Sequence, residues 1–338
     1  MTGDPGERAA VLCALGAALP VRSESNAELC TVLDTSDAWI RTRTGIAHRR
    51  IADPATSTAD LATHAAAQAL TSWKARPVQA LILATTTPDA QIPATAPAVA
   101  ARLNLTGIAA FDLAAACTGF LYALAAAAGL IASRTADAVL VIGADRMSLL
   151  PAPGDRTTRP LFADGAGAVV LRRGSATEAG ALGPVVLGSD GTHGDLLAVP
   201  HGGHLRMQGP PLFRHAVDRM CAASTHAVRL AGRRPEDVDR LVPHQANARI
   251  TAAVGRRLGI GADRQVDTIE HTGNTSAASI PLALAQATVQ GTLRAGHRTV
   301  LTAFGAGLTW GATTLRWPAI QPAGHHLFHT IQGSARDQ

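Results

Sequence analysis

Short apolar runs alternate along the chain with longer stretches whose apolar positions recur at helical spacing. Uninterrupted apolar runs bounded by turn residues are typical of strands that are buried on both faces. The pattern predicts strands at 80–85, 138–143, 167–171, 240–242 and 299–303. It predicts helices at 57–70, 94–103, 118–133, 212–230, 247–258 and 279–290. Alternation of this kind indicates an α/β fold in which helices cover the sheets.

The predicted strands form two sets, before and after about residue 180, and this suggests two similar halves. Each set ends in a glycine-punctuated pattern that we interpret as a hairpin, FADGAGAVVL at 162–171 and FGAGLTWGATTL at 304–315. Neither G-x-G opens a helix after a strand with a third glycine in place, so a dinucleotide site is not indicated. The two ends of the chain, 1–10 and 319–338, are predicted to be tails.

Composition and charge narrow the class of protein. Hydrophobic residues make up 47% of the chain and charged residues 16%, which is enough apolar surface for a large core. The net charge of +5 suggests an acidic protein partner or a phosphorylated ligand, because the chain contains no Lys/Arg block or nucleic-acid module. The uncharged stretch 113–133 is long enough to span a membrane, but its alanine content favours a helix buried in the core. The N-terminus lacks an apolar signal stretch, so we expect a cytoplasmic protein.

Cys117 is the first candidate for chemistry. It follows a strand-like segment and precedes a long helix in FDLAAACTGFLYAL. The start of a helix offers unpaired N–H groups and the positive end of the helix dipole, which favour a thiolate and a neighbouring oxyanion. An inert buried cysteine is the alternative. The four cysteines fit no zinc-binding spacing, and we predict no metal.

Two polar positions could complete a site with this cysteine. His244 follows a predicted strand in LVPHQANARI, and Asn274 lies in the polar turn of HTGNTSAASIPLAL. Each has a structural alternative, a histidine satisfied in the core and a turn or cap residue. A cysteine with a distant histidine and asparagine suggests nucleophilic acyl transfer. A cysteine hydrolase uses the same residue types, and spacing alone does not separate the two.

Taken together, the motifs are more specific. AAACTGF, VPHQAN, TGNTSAAS and FGAGLTWG occur in this order, and DTSDAWIRTRTGI (34–46) and DRTTRPLFADGAGAVVL (155–171) precede or separate them. This set resembles β-ketoacyl-acyl carrier protein synthase III over about residues 11–317. The resemblance implies a thiolase fold, with duplicated halves at 11–178 and 179–318 in a layered α-β-α-β-α core, and a homodimer. It also implies a decarboxylative condensation that starts fatty acid or polyketide synthesis.

The resemblance further implies a role for individual residues. Cys117 would take an acyl group from coenzyme A, and the backbone N–H groups of Cys117 and Ala306 would hold the first oxyanion. His244 and Asn274 would hold the thioester carbonyl of a malonyl-acyl carrier protein, with no metal or other cofactor. It implies coenzyme A contacts at Trp39, Arg43, Arg156, Gly209, Phe213 and Asn247, and carrier-protein docking at Arg214, Arg249, Arg256 and Arg257.

The sequence departs from the family pattern around the acyl pocket. Ala306 replaces a glycine, the stretch 200–207 is shorter than expected, and Ile92 replaces an aromatic that lines the partner subunit's acyl pocket in the family. These changes suggest a branched or unusual starter acyl group, as in polyketide priming. One alternative function is acyl transfer from Cys117 to an oxygen, nitrogen or sulfur acceptor without decarboxylation. A catalytically silent partner subunit is another, which the presence of Cys117 disfavours.

Overall fold

The computed structural model describes residues 9–73 and 77–322. The strands are β1 (Ala9–Ala18), β2 (Ser23–Ser25), β3 (His48–Arg50), β4 (Ala80–Ala84), β5 (Ala109–Leu113), β6 (Ala138–Arg146), β7 (Asp164–Gly174), β8 (Val186–Ser189), β9 (Leu197–Ala198), β10 (Arg206–Met207), β11 (Arg240–Pro243), β12 (Arg298–Gly305) and β13 (Thr309–Arg316). The helices are α1 (Asn26–Cys30), α2 (Asp37–Thr44), α3 (Thr58–Ser72), α4 (Thr95–Arg102), α5 (Gly119–Ala132), α6 (Gly209–Leu230), α7 (Ala248–Leu258), α8 (Ile269–Thr272) and α9 (Ser279–Val289).

Two larger sheets repeat one topology. The first has the strand order β1-β7-β6-β4-β5, with β4 parallel to both neighbours and β7 antiparallel to both of its own. The second has the order β8-β13-β12-β11, with the same sequence of antiparallel and parallel pairs. A parallel bridge between Leu241 and Gln265 lies where β5 lies in the first sheet. The two halves that the strand pattern predicted therefore share one architecture.

The sheets and helices form five layers. Helices α5 and α9 pack against strands of both sheets, so they lie between the sheets in the centre of the molecule. Helices α3 and α4 cover the outer face of the first sheet, and α6 and α7 cover the outer face of the second. The uncharged stretch at 113–133 thus contains the central helix α5, which is apolar on most sides because both sheets bury it. No helix of the described residues is long and apolar enough to cross a membrane.

The two halves approach each other closely where β6 meets the loop that follows Asn274. A Cβ atom at Gly143 would lie 2.3 Å from the carbonyl oxygen of Ala277, closer than side chains tolerate. Only glycine therefore lets the strand of one half reach the backbone of the other. This contact places the loop with Asn274 beside the start of α5, where Cys117 lies.

Most predicted elements match observed ones within a few residues, but one interpretation was wrong. The pattern at 162–171 is not a hairpin, because Asp164–Gly174 is the single strand β7. Its glycines accommodate neighbours instead: a Cβ atom at Gly167 would lie 2.7 Å from Pro281 of α9. The pattern at 304–315 does contain a hairpin turn, between β12 and β13. Strand β1 begins inside the predicted N-terminal tail, at Ala9, and most of the C-terminal tail, 323–338, lies outside the described residues.

Candidate active site

Two cavities meet at Cys117. The larger has a volume of about 730 Å³, and its wall includes Cys117, Ala306 and the segment 197–203. The smaller, about 420 Å³, is a channel whose wall includes Cys117, His244 and Asn274. The structure therefore brings together the three residues that the sequence motifs singled out. Because Cys117 lines both cavities, its sulfur lies between the channel and the larger pocket.

Cys117 lies in a 3₁₀ turn, Ala116–Thr118, between the end of β5 and the start of α5. The residue before it, Ala116, has a φ of 46°, a left-handed conformation that costs a non-glycine residue about 1–2 kcal/mol. The turn directs a cysteine that is only 6% exposed toward both cavities. The predicted position at a helix start is thus observed, with a strained residue beside it.

The protonation of Cys117 differs from the expectation. Burial raises the pKa of its thiol to about 12, and the buried Asp145 carboxylate acts in the same direction. The Ser276 hydroxyl lowers the thiol pKa, although it makes no hydrogen bond of normal geometry in the described structure. Removal of the sulfur from water is the largest influence on this pKa, and Cys117 is therefore a thiol at neutral pH.

This thiol pKa predicts how alkylation of Cys117 depends on pH. The thiolate is the reactive form, so below the pKa its fraction, and the rate of modification by iodoacetamide, should rise about tenfold per pH unit. We expect this rise to continue without a plateau from about pH 7 to about pH 10. Intact mass at timed intervals measures the rate, with Cys117→Ala giving the background from the other cysteines. A plateau near neutral pH would show that the protein stabilises the thiolate.

His244 follows β11 directly, at the end of a parallel strand where active-site residues of α/β folds commonly lie. Its backbone N–H donates to the carbonyl of Thr302 at 2.8 Å, which fixes the residue against β12. The ring nitrogen Nδ1 lies 2.6 Å from the Ser279 hydroxyl, so Nε2 remains available to the channel. Burial lowers the pKa of His244 to about 3, and the ring is therefore neutral at physiological pH.

Asn274 is held by both its backbone and its side chain. Its N–H donates to Leu161 at 2.9 Å, and its carbonyl accepts from the N–H of Ala163 at 2.9 Å. These bonds attach the C-terminal half to the LFADG motif of the N-terminal half. The side-chain oxygen Oδ1 accepts from the N–H of Ser276 at 3.0 Å. Because a backbone N–H can only donate, this bond fixes the amide orientation and leaves Nδ2 as the donor for the channel.

The turn between β12 and β13 contributes to the walls of both cavities. Gly305 lines the channel and Ala306 lines the larger cavity. The Thr309 hydroxyl donates to the carbonyl of Ala306 at 2.9 Å and lies 2.5 Å from the hydroxyl of Thr118, which ties this turn to the turn of Cys117. Ala306 is not among the described residues with positive φ, so alanine fits where the family pattern has glycine.

Most residues that the resemblance assigned to coenzyme A line the channel. The guanidinium of Arg43 lies over the ring of Trp39, 5.4 Å from its centroid. Asn247 caps α7 by accepting from the N–H of Arg249 at 2.8 Å, and its amide donates to the carbonyl of Arg43 at 2.9 Å. The assigned residues that line the channel are Trp39, Arg43, Gly209, Phe213 and Asn247.

Some assigned residues lie outside both cavities. Arg156 is exposed and donates to the backbone and carboxylate of Asp34 at 3.3 Å, so it does not line the channel, although the adjacent Thr157 does. The side chain of Ile92 is 86% exposed and does not line the cavity of its own chain. Arg257 pairs with Asp218 on α6. Of the four arginines expected from the resemblance to dock a carrier protein, Arg249 alone lines the channel, and its guanidinium lies 5.8 Å from the ring of Phe213.

Sequence reasoning missed the buried groups behind the site. Asp145 accepts from the N–H of Thr86 at 2.7 Å and from the N–H of Ala277 at 3.1 Å, so one carboxylate joins the loops of both halves. Ser279 contacts the His244 ring directly, and the Thr309 hydroxyl donates to the carbonyl of Ala306. Both residues lie within the motifs TGNTSAAS and FGAGLTWG, which was the available signal, whereas Asp145 lies in none of the motifs. Among the described residues, no group of three or more His, Cys, Asp or Glu side chains is placed to hold a metal ion.

Comparison with known proteins shows the family to which this chain and its fold belong. The family model of 3-oxoacyl-[acyl-carrier-protein] synthase III matches residues 111–191, and that of its C-terminal part matches residues 228–317. β-Ketoacyl-[acyl-carrier-protein] synthase III 3 of Streptomyces coelicolor is 53% identical over 332 residues, which cover 93% of this chain and 99% of the relative.

Solved structures agree. FabH from Pseudomonas aeruginosa PAO1 is similar with a TM-score of 0.91 and 52% identity, covering 93% of this chain and all (100%) of the other. The priming β-ketosynthase of the R1128 polyketide pathway is similar with a TM-score of 0.87 and 34% identity, covering 96% of this chain and 99% of the other.

The duplicated layers, and the meeting of cysteine, histidine and asparagine on one channel, define an acyl-transferring enzyme of the thiolase fold. The chain belongs to the 3-oxoacyl-[acyl-carrier-protein] synthase III family. It is a condensing enzyme of the transferase class, and the fold and family expected from the sequence motifs are confirmed.

Proposed function

We propose that this chain joins an acyl group from an acyl-coenzyme A to the malonyl group of a malonyl-acyl carrier protein, giving a β-ketoacyl-acyl carrier protein, carbon dioxide and coenzyme A. The observation that carries this proposal is the position of Cys117 between two cavities, with two neutral N–H donors on the channel wall. A covalent acyl group needs one cavity, and the incoming thioester needs the other. Coenzyme A acts as a substrate carrier here, and the proposed steps use no metal ion or other cofactor.

The first step transfers the acyl group to Cys117. The sulfur attacks the thioester carbonyl, a C–S bond to Cys117 forms, and the C–S bond to coenzyme A breaks. The proton of the Cys117 thiol leaves with the coenzyme A sulfur as a thiol. Negative charge develops on the carbonyl oxygen, and the backbone N–H groups of Cys117 and Ala306 donate hydrogen bonds to this oxygen. A protonated thiol is a weak nucleophile, so Cys117 reacts slowly with electrophiles other than the bound thioester.

The second step forms the carbon–carbon bond. The malonyl carboxylate leaves as carbon dioxide, and its bonding electrons pass into the enolate of the carrier-protein thioester. Nε2–H of His244 and Nδ2–H of Asn274 donate to the enolate oxygen. The enolate carbon then attacks the acyl carbonyl, and the Cys117 sulfur leaves and takes up a proton. A neutral histidine suits this role, because its Nε2–H donates a hydrogen bond but is too weak an acid to protonate the enolate.

The channel fits a coenzyme A arm. Trp39 and Arg43 form a flat cationic wall that suits a ring and a phosphate, and Phe213 and Gly209 line the channel beyond it. The channel ends at Cys117, so a thioester at the tip of the arm would reach the sulfur. Arg156 in this arrangement acts at the rim rather than in the channel.

The carrier protein would dock around the same entrance. Arg214, Arg249 and Arg256 are exposed, and Arg249 lines the channel. Arg249 and Arg256 lie two turns apart on α7, so both can face one acidic partner. Electrostatic attraction of this kind mainly raises the association rate and weakens with salt.

A second copy of the chain would complete the larger cavity. Strand β5 is the unpaired edge of the first sheet, and its Phe111 is 38% exposed. Exposed edge strands are natural sites for pairing with another chain. Ile92 projects from the loop whose residues Gln91 and Ala94 line the cavity. We propose a homodimer in which Ile92 enters the partner's acyl pocket. Isoleucine is smaller than the aromatic of the family pattern, and this difference, together with the short segment 200–207, would determine which starter acyl group fits.

Intact mass on a two-stage reaction tests this function. Wild type incubated with a panel of acyl-coenzyme A donors should gain one acyl mass on Cys117, and Cys117→Ala should gain none. Addition of malonyl-acyl carrier protein should then remove the acyl mass and yield a β-ketoacyl carrier protein with release of carbon dioxide. The panel identifies the starter acyl group.

The other outcomes point to other functions. An acyl-enzyme that malonyl-acyl carrier protein never discharges, but another thiol, alcohol or amine does, would support acyl transfer without decarboxylation. No acyl mass from any donor would contradict the enzymatic proposal and favour a silent partner subunit.

A further inference from the structure

The Ser279 hydroxyl connects His244 to the start of the central helix α9. Its oxygen lies 2.6 Å from Nδ1 of His244 and 3.3 Å from the backbone nitrogen of Gln245. Ser279 is 2% exposed, and among the described residues these two nitrogens are the polar partners recorded for its hydroxyl. The hydroxyl is thus enclosed between two consecutive residues of the β11 loop.

The direction of these bonds follows from the atoms present. The N–H of Gln245 can only donate, so it occupies one acceptor position of the Ser279 oxygen. If Nδ1 of His244 also carried a hydrogen and donated, the hydroxyl hydrogen would be buried without an acceptor, at a cost of about 1–3 kcal/mol. If Nδ1 is bare, the hydroxyl donates to it and every group is satisfied. The second arrangement puts the single proton of the neutral ring on Nε2.

We propose that Ser279 is a positioning residue that fixes His244 in the neutral tautomer with its proton on Nε2, the nitrogen available to the channel. This deepens the proposed function, because the enolate oxygen needs a donor at that nitrogen. The opposite tautomer would present a lone pair to the same oxygen, and repulsion would replace a hydrogen bond. Ser279 would therefore act on the condensation step alone, since acylation of Cys117 uses backbone donors.

The supports of this contact are rigid. The Gln245 side chain donates to the carbonyls of Pro243 at 2.8 Å and Val266 at 3.1 Å, and it accepts from the N–H of Thr268 at 2.9 Å. These bonds fix the loop that directs the Gln245 N–H toward Ser279. The hydroxyl is held from the other side by α9, which packs between the two sheets. Its hydrogen therefore has one acceptor within reach, and the tautomer does not depend on a mobile group.

The kinetic test separates the two half-reactions. Ser279→Ala should slow discharge of the acyl-enzyme by malonyl-acyl carrier protein about 10- to 100-fold, the range found when the partner that orients a metal-binding histidine is removed. Acylation by acyl-coenzyme A should change by less than about threefold, because the acylation step uses backbone donors and not His244. Ser279→Thr keeps a hydroxyl and should restore much of the condensation rate. Equal slowing of both half-reactions would overturn the proposal, because it would indicate only a structural role.

Thr288→Val is the matched control. This substitution removes a buried hydroxyl from the same helix, α9. In the wild type the Thr288 hydroxyl donates to the carbonyl of Leu284 at 2.7 Å, and Thr288 lines neither cavity. We expect both half-reactions of this variant to match wild type. If its condensation falls as in Ser279→Ala, the loss reflects damage to α9 rather than the His244 tautomer, and the proposal is wrong.

A spectroscopic measurement tests the tautomer without turnover, so its result stands even if the proposed condensation fails. Long-range proton–nitrogen correlation in histidine-labelled protein distinguishes a bare nitrogen from a protonated one, and His244→Gln identifies the signal. Wild type should show a bare Nδ1 and a protonated Nε2, and Ser279→Ala should shift toward the other form or a mixture. A protonated Nδ1 in wild type would overturn the inference, whatever the kinetics.

Discussion

Gly305→Ala is expected to reduce acylation of Cys117 at least about 10²- to 10³-fold, the loss that follows removal of one oxyanion donor. A Cβ atom at this position would lie 2.9 Å from the backbone nitrogen of Cys117 and 3.2 Å from that of Thr118. Both are backbone atoms of a tied turn, so neither can move aside easily. The methyl group would therefore cover the Cys117 N–H, which is expected to donate to the oxyanion. The rate of acyl-enzyme formation, measured by intact mass, tests this.

Gly129→Ala is the control for glycine replacement. Gly129 lies in α5, the helix that follows Cys117, and nothing among the described residues lies within 4 Å of a Cβ added there. Alanine is favoured over glycine inside a helix by about 0.5–1 kcal/mol, so this variant should melt slightly higher and acylate normally. Gly305 does not have a positive φ, so its substitution tests space rather than backbone strain. Acylation of Gly305→Ala at the wild-type rate would contradict the assigned oxyanion position.

The fold could be predicted where local pattern decides it. The apolar run at 80–85 and the uncharged stretch at 118–133 were assigned to a buried strand and a buried helix, and both are observed as β4 and α5. The glycines of β7 were misinterpreted as a turn, because their cause is the close packing of α9 against the strand. Such packing depends on residues more than 100 positions away, and no local pattern contains it.

The site likewise combines features that local motifs predict with features that depend on contacts between distant residues. Motifs located Cys117, His244 and Asn274, but not how they meet, which depends on the bonds between Asn274 and the Leu161–Ala163 segment of the other half. The protonation of Cys117 was predicted from the helix start alone. Burial acts against that expectation, because the thiolate loses its hydration and the pKa of the thiol rises to about 12.

Asn274→Asp should abolish condensation while sparing acylation. One carboxylate oxygen can still accept from the N–H of Ser276, so the turn that Asn274 forms should persist. The other oxygen replaces the Nδ2 donor and presents negative charge to the enolate oxygen. Replacement of a donor by a charge is worse than its removal, so discharge of the acyl-enzyme by malonyl-acyl carrier protein should fall by more than about 10³-fold. Acylation should stay within about threefold of wild type.

The pH dependence of the same variant provides a further check. A protonated carboxyl group can donate, and a carboxylate cannot, so residual condensation should rise as the pH falls toward the pKa of the introduced group. Asn274→Ala removes the donor without adding charge, and its condensation rate should be higher than that of Asn274→Asp at neutral pH and should show no such rise. If the two variants condense equally at every pH, the Asn274 side chain does not face the enolate oxygen. If both lose acylation as well, Asn274 supports the Cys117 turn rather than the second thioester.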